Sequence, residues 1–254
     1  KTFLSMLVSG ANALENNKEK INNMNVFPVP DGDTGINMTL TLGAVRRLEN
    51  NYATVSACSS DAASVVLRSA RGNSGAILSL FLRGFAKEFK NSVSIGVAEL
   101  AAGLRRGCDE AYKAVMKPAE GTILTVARLA AAKAVAASQE NNYFEFVHEA
   151  AIEEAKAALE DTVNQNPVLK KAGVVDAGGK GWVFVLEAML SALRGEDIVV
   201  PEGFQSVEPK EQADFSDFDT EDITFTYCTE FIISRENDKD PEALRAFLNE
   251  LGDS

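Results

Sequence analysis

The chain has 254 residues, a formal net charge of −12 at pH 7, and 46% hydrophobic against 24% charged residues. A chain of this size and composition can bury enough surface to fold without a disulfide or a structural metal. The negative balance argues against a protein that binds nucleic acid or anionic membranes, because it would repel phosphate groups. No apolar run approaches the roughly 20 residues of a membrane span and no signal peptide is recognisable, so we expect no stable membrane insertion. The 3 cysteines form no CxxC pair, which indicates a reduced, cytoplasmic protein.

Apolar residues recur at helical spacing throughout residues 1–195, and no segment there alternates with the period of a strand. This pattern predicts a first domain of eight helices joined by short turns, which is typical of an antiparallel up-and-down bundle. The helices are expected over residues 3–20, 34–50, 59–71, 74–90, 94–115, 121–139, 143–162 and 178–195.

The composition changes after residue 195. Residues 201–222 carry eight acidic residues and one lysine, which predicts a solvated acidic linker over 196–222. Alternating apolar residues from Ile223 predict a strand, and Asp240-Pro241 predicts the start of a last helix. Because one strand and one helix cannot close a core, we interpret 223–254 as the start of an incomplete α/β domain. The chain is therefore expected to be a piece of a larger protein.

Four irregular loops, each containing glycine, lead directly into apolar helices. They are residues 25–35, 71–75, 116–122 and 176–181. Each precedes an even-numbered helix, and all even-numbered helices of an up-and-down bundle begin at the same end. Helix starts present unpaired N–H groups, and glycine lets a phosphate approach the backbone, so the loops predict a polyphosphate site at that end. The alternative for any single loop is a plain turn, which for 71–75 alone is the better interpretation.

Asp31 and Asp33 lie two residues apart in the first loop, PVPDGDTG. An extended turn stiffened by proline can point both carboxylates the same way, and two hard oxygen ligands beside phosphates suit Mg²⁺. The alternative is that Asp33 or Thr34 caps the next helix while Asp31 completes a turn. Because the neighbouring loops can bind an anion, we favour the interpretation that Asp31 and Asp33 bind a metal ion. His148, the single histidine, is interpreted as structural rather than catalytic.

At these loops the sequence resembles a known family. The segments are NVFPVPDGDTGINM, ARGNSGAILS, AVMKPAEGTILTVA and AGVVDAGGKG. They resemble the four motifs of ATP-binding subunits of bacterial fatty acid kinases, whose N-terminal domains belong to the dihydroxyacetone kinase L-subunit family. The resemblance covers about residues 3–195, and the YCTE segment from Tyr227 resembles the start of the middle domain of those subunits. It implies an all-α fold, an eight-helix barrel that holds Mg-ATP at one end.

The resemblance also implies roles for individual residues. Asp31 and Asp33 would be the catalytic magnesium ligands. The dihydroxyacetone kinase branch has a third aspartate just upstream, where this sequence offers Asn25 as the candidate ligand. The residues expected to contact the nucleotide are Thr34, Asn37, Gly72, Asn73, Ser74, Gly75, Thr122, Asp176 and Gly178.

The activity implied by the resemblance is transfer of the γ-phosphate of ATP to the carboxylate of a fatty acid, giving an acyl phosphate. A separate fatty-acid-binding carrier protein would present the acyl chain, and the resemblance leaves room for a homodimer of the full-length protein. A carboxylate is already ionised at pH 7 and needs no general base, which fits the absence of histidine from the four loops. The alternatives are a dihydroxyacetone-kinase-like subunit acting on a small ketone, and a nucleotide-binding regulatory module without catalysis.

Overall fold

The computed structural model describes residues 2–196, 198–199 and 240–251. The chain divides into two compact units, Lys1–Asp214 and Phe215–Ser254. The predicted strand and the greater part of the predicted linker lie outside the described residues. Within the described ranges the secondary structure is entirely helical, which confirms the predicted all-α fold.

The first unit contains nine described α-helices and one short 3₁₀-helix. They are α1 (Thr2–Asn22), α2 (Thr34–Gly43), a 3₁₀-helix (Ala44–Arg47), α3 (Val55–Arg68), α4 (Gly72–Glu88), α5 (Val97–Ala114), α6 (Ile123–Glu140), α7 (Phe144–Gln165), α8 (Pro167–Ala172) and α9 (Ala177–Leu193). All eight predicted helices are present. The short helix α8 was not predicted.

Helix ends differ from the prediction where side chains cap the backbone. Helix α3 begins four residues earlier than expected, because the Oγ1 of Thr54 accepts a hydrogen bond from Ala57 N at 3.1 Å. Helix α8 begins at an Asn-Pro pair in which Asn166 Oδ1 accepts from Val168 N at 3.0 Å. It ends at Gly173, whose φ of 68° is the left-handed conformation that favours glycine.

The helices close into a barrel. Around the ring, α1 packs on α2, α2 on α4, α4 on α5, α5 on α6, α6 on α7, α7 on α9, and α9 back on α1. Helix α3 packs mainly against α4. The interior is apolar: the rings of Phe85 and Phe89 make edge-to-face contacts with Phe3, and Phe81 packs on Trp182 with 4.7 Å between ring centroids. This closure is the barrel that the motifs implied.

The segment that follows α9 is hydrogen-bonded to the first helix. Ser9 Oγ accepts from Ile198 N at 3.2 Å, and Asn12 Nδ2 donates to the carbonyl of the same residue at 2.7 Å. Asn16 Nδ2 donates to Val199 O at 3.0 Å. Polar side chains three and four residues apart on α1 therefore hold the chain where it leaves the barrel.

The second unit is described through one helix, α10 (Glu242–Leu251). Asp240 Oδ1 accepts a hydrogen bond from Glu242 N at 3.0 Å, as expected of an N-cap aspartate. Leu244 and Phe247 lie exposed on this helix. Across the described ranges, no helix combines the length and the apolar character that crossing a bilayer requires.

Candidate functional site

The first two glycine-bearing loops are linked through α2, which follows the first loop and against which the start of α4 packs. The Oγ1 of Thr41 accepts a hydrogen bond from Arg71 N at 3.1 Å. A Cβ placed on Gly72 would overlap the side-chain amide of Asn37, and one on Gly75 would overlap Thr41. The start of α4 therefore approaches α2 so closely that only glycine fits at these two contacts.

The third and fourth loops meet in the same way where α6 and α9 begin. Asp176 accepts hydrogen bonds from the backbone N–H groups of Gly179 and Ile123, which belong to α9 and α6. A Cβ on Gly178 would lie 3.3 Å from the Cβ of Ile123. The two pairs of loops are joined through Gly181 of α9, where an added Cβ would lie 2.6 Å from the sulfur of Met38 in α2.

The first turns of α2, α4, α6 and α9 therefore form one continuous region, which we call the rim. It consists of residues 25–35, 71–75, 116–122 and 176–181 and the first turn of the helix after each. All the residues singled out from the sequence lie in it: Asn25, Asp31, Asp33, Thr34, Asn37, Gly72, Asn73, Ser74, Gly75, Thr122, Asp176 and Gly178.

The start of α2 is capped by two asparagines from outside the helix. Asn22 Oδ1 accepts from Gly35 N at 2.8 Å and from Ile36 N at 3.2 Å. Asn25 Oδ1 accepts from Asp33 N at 3.1 Å and from Thr34 N at 3.0 Å. Four consecutive N–H groups are thus satisfied, so this helix start does not offer the free donors that we expected of it.

Asn25 is also tied into the loop by its remaining polar atoms. Its Oδ1 accepts a third hydrogen bond from Thr34 Oγ1 at 2.8 Å, and its Nδ2 donates to Val29 O at 3.0 Å. The side chain is 2% exposed. Its role as a third metal ligand stays a prediction, and in this arrangement the oxygen already has three donors.

The carboxyl groups of Asp31 and Asp33 lie close enough to interact. Asp33 occupies the N-cap position of α2 but makes no capping hydrogen bond. Partial burial raises the pKa of Asp31, and the hydrogen bond and negative charge of Asp33 raise it further. Among the described residues, no cationic side chain pairs with these two acidic groups, and a bound cation would stabilise such an arrangement.

The donor set fits a magnesium ion that shares its coordination with a substrate. No group of three or more His, Cys, Asp or Glu side chains comes together within the described ranges. A cation held by Asp31 and Asp33 would therefore take its remaining oxygens from water and from a ligand. Mg²⁺ commonly binds in this way, through one or two carboxylates together with phosphate groups.

The start of α4 differs from that of α2 because none of the side chains that the structure describes caps it. Arg71, its N-cap residue, makes no capping hydrogen bond. Gly72 has a φ of 59°, a conformation that places the turn tightly against Asn37. Asn73 is exposed and Ser74 is half-buried. This helix start can therefore receive an anion at its backbone N–H groups.

The α6 and α9 side of the rim is buried and internally bonded. Thr122 Oγ1 caps α6, accepting from Leu124 N at 3.4 Å and donating to Ala119 O at 2.7 Å. Asp176 is 5% exposed and accepts from Gly179 N at 2.7 Å. Burial raises the pKa of Asp176 to about 6, and the backbone N–H groups that it binds oppose that rise.

A cluster that the sequence did not reveal holds the third loop. Glu120 accepts hydrogen bonds from Thr125 Oγ1 at 2.7 Å, from Arg128 Nη2 at 2.8 Å and from Tyr112 OH at 3.2 Å. These partners lie on α5 and α6. The contact between Glu120 and Tyr112 depends on how α5 packs on α6, so no local spacing could have identified it.

His148 lies outside the rim, on α7. It is 1% exposed, and its Nε2 is 3.1 Å from the carbonyl oxygen of Leu186. Burial lowers its pKa to about 4, so the ring is neutral at pH 7. A buried imidazole bonded to a helix carbonyl agrees with the structural role assigned from the sequence.

The closed all-helical barrel is the fold of a family of helical domains associated with kinase function. The chain belongs to the DAK2 domain family, whose model matches residues 28–191. This family is the dihydroxyacetone kinase L-subunit-like family that the motifs indicated.

Similar curated proteins come from species of Staphylococcus and Bacillus. The chain is 42% identical over 262 residues to the uncharacterized protein SH1689 of Staphylococcus haemolyticus and 42% identical over 265 residues to the protein YloV of Bacillus subtilis. It is 41% identical over 262 residues to the uncharacterized protein SSP1546 of Staphylococcus saprophyticus. Each match covers 100% of this chain and 48% of the relative. The chain therefore spans about half the length of the curated relatives it matches.

Proposed function

We propose that the chain is the ATP-binding part of a kinase and transfers the γ-phosphate of Mg-ATP to a carboxylate. The observation that carries this proposal is the pairing of two interacting carboxylates with an uncapped helix start on one rim. Membership of the DAK2 domain family supports the phosphotransferase class. The motif resemblance supports the more specific reaction.

Asp31 and Asp33 would hold the magnesium ion, which when bound supplies positive charge to the phosphates of ATP. Neither carboxylate is needed to cap α2, because Asn22 and Asn25 satisfy that helix start. Both are therefore available for a cation.

The phosphates of ATP would bind at the start of α4, the uncapped one. Gly72, Asn73 and Ser74 supply backbone N–H groups there, and the positive end of the helix dipole favours an anion. Asn37, packed on Gly72, places an amide beside the same turn. Gly75 lets α4 approach Thr41 closely enough to keep this geometry.

The nucleoside would lie toward the starts of α6 and α9. Thr122 and Gly178 border this side of the rim, and Asp176 joins the two helix starts beneath it. In this position Asp176 acts by holding the backbone, since its carboxylate is buried and already bonded.

The proposed acceptor is a fatty acid presented by a lipid-binding partner protein. One oxygen of its carboxylate attacks the γ-phosphorus, the bond from phosphorus to the bridging oxygen breaks with its electron pair leaving on ADP, and an acyl phosphate forms. No base is required, because a carboxylic acid with a reference pKa of about 4 to 5 is ionised at pH 7. A reaction that needs no general base fits a rim whose described residues include no histidine.

Calorimetry with Mg-ATP tests the binding site. We expect the unaltered chain to bind ATP only with a divalent cation, and we expect Asp31→Asn and Asp33→Asn to lose the metal-dependent binding. Asp109→Asn, at an exposed aspartate on α5, is the matched control and should bind as the unaltered chain does. ATP binding that is unchanged in both rim variants and in EDTA would contradict the site.

A second experiment identifies the acceptor. This chain and a full-length relative are incubated with Mg-ATP and either a fatty acid on a lipid-binding carrier or dihydroxyacetone on its binding subunit. Acyl hydroxamate formed on adding hydroxylamine in the first arm alone supports the proposal. Formation of a phosphorylated ketone in the second arm would show that the acceptor is a small ketone and not a fatty acid. Binding without transfer in either arm would indicate a regulatory module.

A further inference from the structure

The Asp33 carboxylate could either cap α2 or lie beside Asp31. Asp33 stands at the N-cap position of α2, and aspartate is among the residues that cap helices best. A carboxylate that bonded to the first-turn N–H groups of α2 would turn away from Asp31. In the structure it does not do so, and it remains within hydrogen-bond reach of Asp31.

Two observations explain this: Asp33 has a ψ of −3°, outside the extended region from which an N-cap side chain usually bonds, and the N–H groups are already taken. Asn22 Oδ1 lies 2.8 Å from Gly35 N, the donor that an N-cap side chain would normally bind. Asn25 Oδ1 lies 3.1 Å from Asp33 N itself. Both asparagines are buried, at 7% and 2% exposed, so water does not compete for these hydrogen bonds.

Gly35 keeps Asn22 in place. A Cβ on this glycine would overlap the carbonyl oxygen of Lys18 and would lie 2.8 Å from Asn22 Oδ1. The start of α2 is therefore pressed against the last turn of α1, where Asn22 is the final helical residue. The contact leaves the amide oxygen facing the N–H groups that it binds.

We infer that Asn22 and Asn25 are positioning residues that keep the Asp33 carboxylate beside Asp31 by capping α2 in its place. The inference rests on the metal site of the proposed function and adds two residues that act through Asp33. In this inference Asn25 holds the loop in place and does not bind the metal.

The test uses Asn22→Ala in the 254-residue chain, with Mn²⁺ as the probe and the electron paramagnetic resonance of the bound ion as the readout. Once Asn22 is truncated, the Asp33 carboxylate can cap α2 itself. We expect Mn²⁺ affinity to fall about 10- to 100-fold, the range seen when residues that orient metal ligands are removed. The thermal midpoint should change no more than in Thr54→Ala, which removes the cap of α3 away from the rim.

A double-mutant cycle separates positioning from a general loss of structure. If Asn22 acts through Asp33, then Asn22→Ala should weaken Mn²⁺ binding in the unaltered chain but leave unchanged the residual Mn²⁺ affinity of Asp33→Asn, measured at raised Mn²⁺ concentration where Asp31 alone still binds the ion. Losses that add in the double variant would overturn the inference. An unaltered chain that binds no Mn²⁺ would instead overturn the proposed metal site.

Asn25→Asp distinguishes positioning from direct ligation. An aspartate keeps an acceptor oxygen but loses the Nδ2 donor to Val29 O, so a positioning role predicts Mn²⁺ affinity no tighter than that of the unaltered chain. A ligand role predicts tighter binding, because a carboxylate is a stronger ligand than an amide for a hard cation. Tighter binding would therefore overturn the assignment of Asn25.

Discussion

Two aspartates of the rim stand at the N-cap of a helix, and they are used in opposite ways. Asp176 caps α9, reaches the backbone of α6 and is buried. Asp33 stands at the same position of α2, makes no cap and interacts with a second carboxylate. The two aspartates differ in backbone conformation, with ψ near −3° for Asp33 and 123° for Asp176, and in their neighbours, since Asn22 and Asn25 cap α2 whereas α9 depends on its own aspartate. An N-cap aspartate near a ligand site is thus available for chemistry only when another side chain satisfies the helix.

The largest expected effect tests whether Asp33, with its neighbour Asp31, serves the reaction and not the stability of the helix. Asp31→Asn and Asp33→Asn should each lower phosphoryl transfer at least about 100-fold, since each removes charge stabilisation from the reacting phosphates. Because the folded state raises the pKa of Asp31, its ionised form is less stable in the fold than in the unfolded chain, so Asp31→Asn should unfold no more easily at pH 7. Activity assays and thermal denaturation measure the two effects. A variant that loses stability in step with activity would count against the assignment.

A second prediction concerns pH. The folded pKa of Asp176, about 6, exceeds its ordinary 3.8, so this group lowers stability as pH rises from about 4 to 6. The folded pKa of His148, about 4, is below its ordinary 6.5, so this group raises stability over nearly the same window.

The two contributions, each about 2 to 3 kcal/mol, should nearly cancel. Urea unfolding at several pH values should therefore show His148→Gln losing stability from pH 4 to 6 and Asp176→Asn gaining it. Parallel curves for the two variants would show that these groups do not titrate as their burial requires.

A third prediction compares the two ways of altering Asp176. Asp176→Ala leaves N–H groups of α6 and α9 without their acceptor, whereas Asp176→Asn keeps an acceptor and removes the buried charge. At pH 7 the alanine variant should be less stable than the asparagine variant by about 1 to 2 kcal/mol. Chemical denaturation checks the difference. Equal stabilities would mean that the cap contributes little.

The smallest expected effect concerns Glu120. Its side chain is 53% exposed although it accepts three hydrogen bonds. Glu120→Gln should therefore reduce stability by no more than about 1 kcal/mol. A comparison of proteolysis rates within 116–122 would show whether the cluster orders that loop. A loss above about 2 kcal/mol would place it with Asp176 as a residue on which the barrel depends.

Much of the fold could be predicted from the sequence because it depends on local signals. Apolar spacing located the eight long helices, and the up-and-down arrangement placed four helix starts together. The Asn166-Pro167 pair and Gly173 also carry the local signals of a short helix, which the broader apolar pattern concealed.

The site was less predictable because its decisive contacts join residues that are distant in sequence. Nothing near Asn22 indicates that its side chain caps a helix 13 residues further on. Without that contact, Asp33 and Asp176 have the same appearance, an aspartate just before an apolar helix. The sequence could therefore name both aspartates but could not separate their roles.

The packing of α9 on α1 has a consequence for how the protein is made. The hydrogen bond between Ser9 and Ile198 joins residues 189 positions apart. During synthesis, the surface of α1 that receives α9 emerges before α9 and lacks that partner until α9 follows. At about 5 to 20 residues per second, that interval lasts on the order of 10 to 40 seconds. The nascent chain thus carries an unpaired apolar helix face while all the helices between α1 and α9 are made, and a ribosome-associated chaperone would have access to that face during this interval.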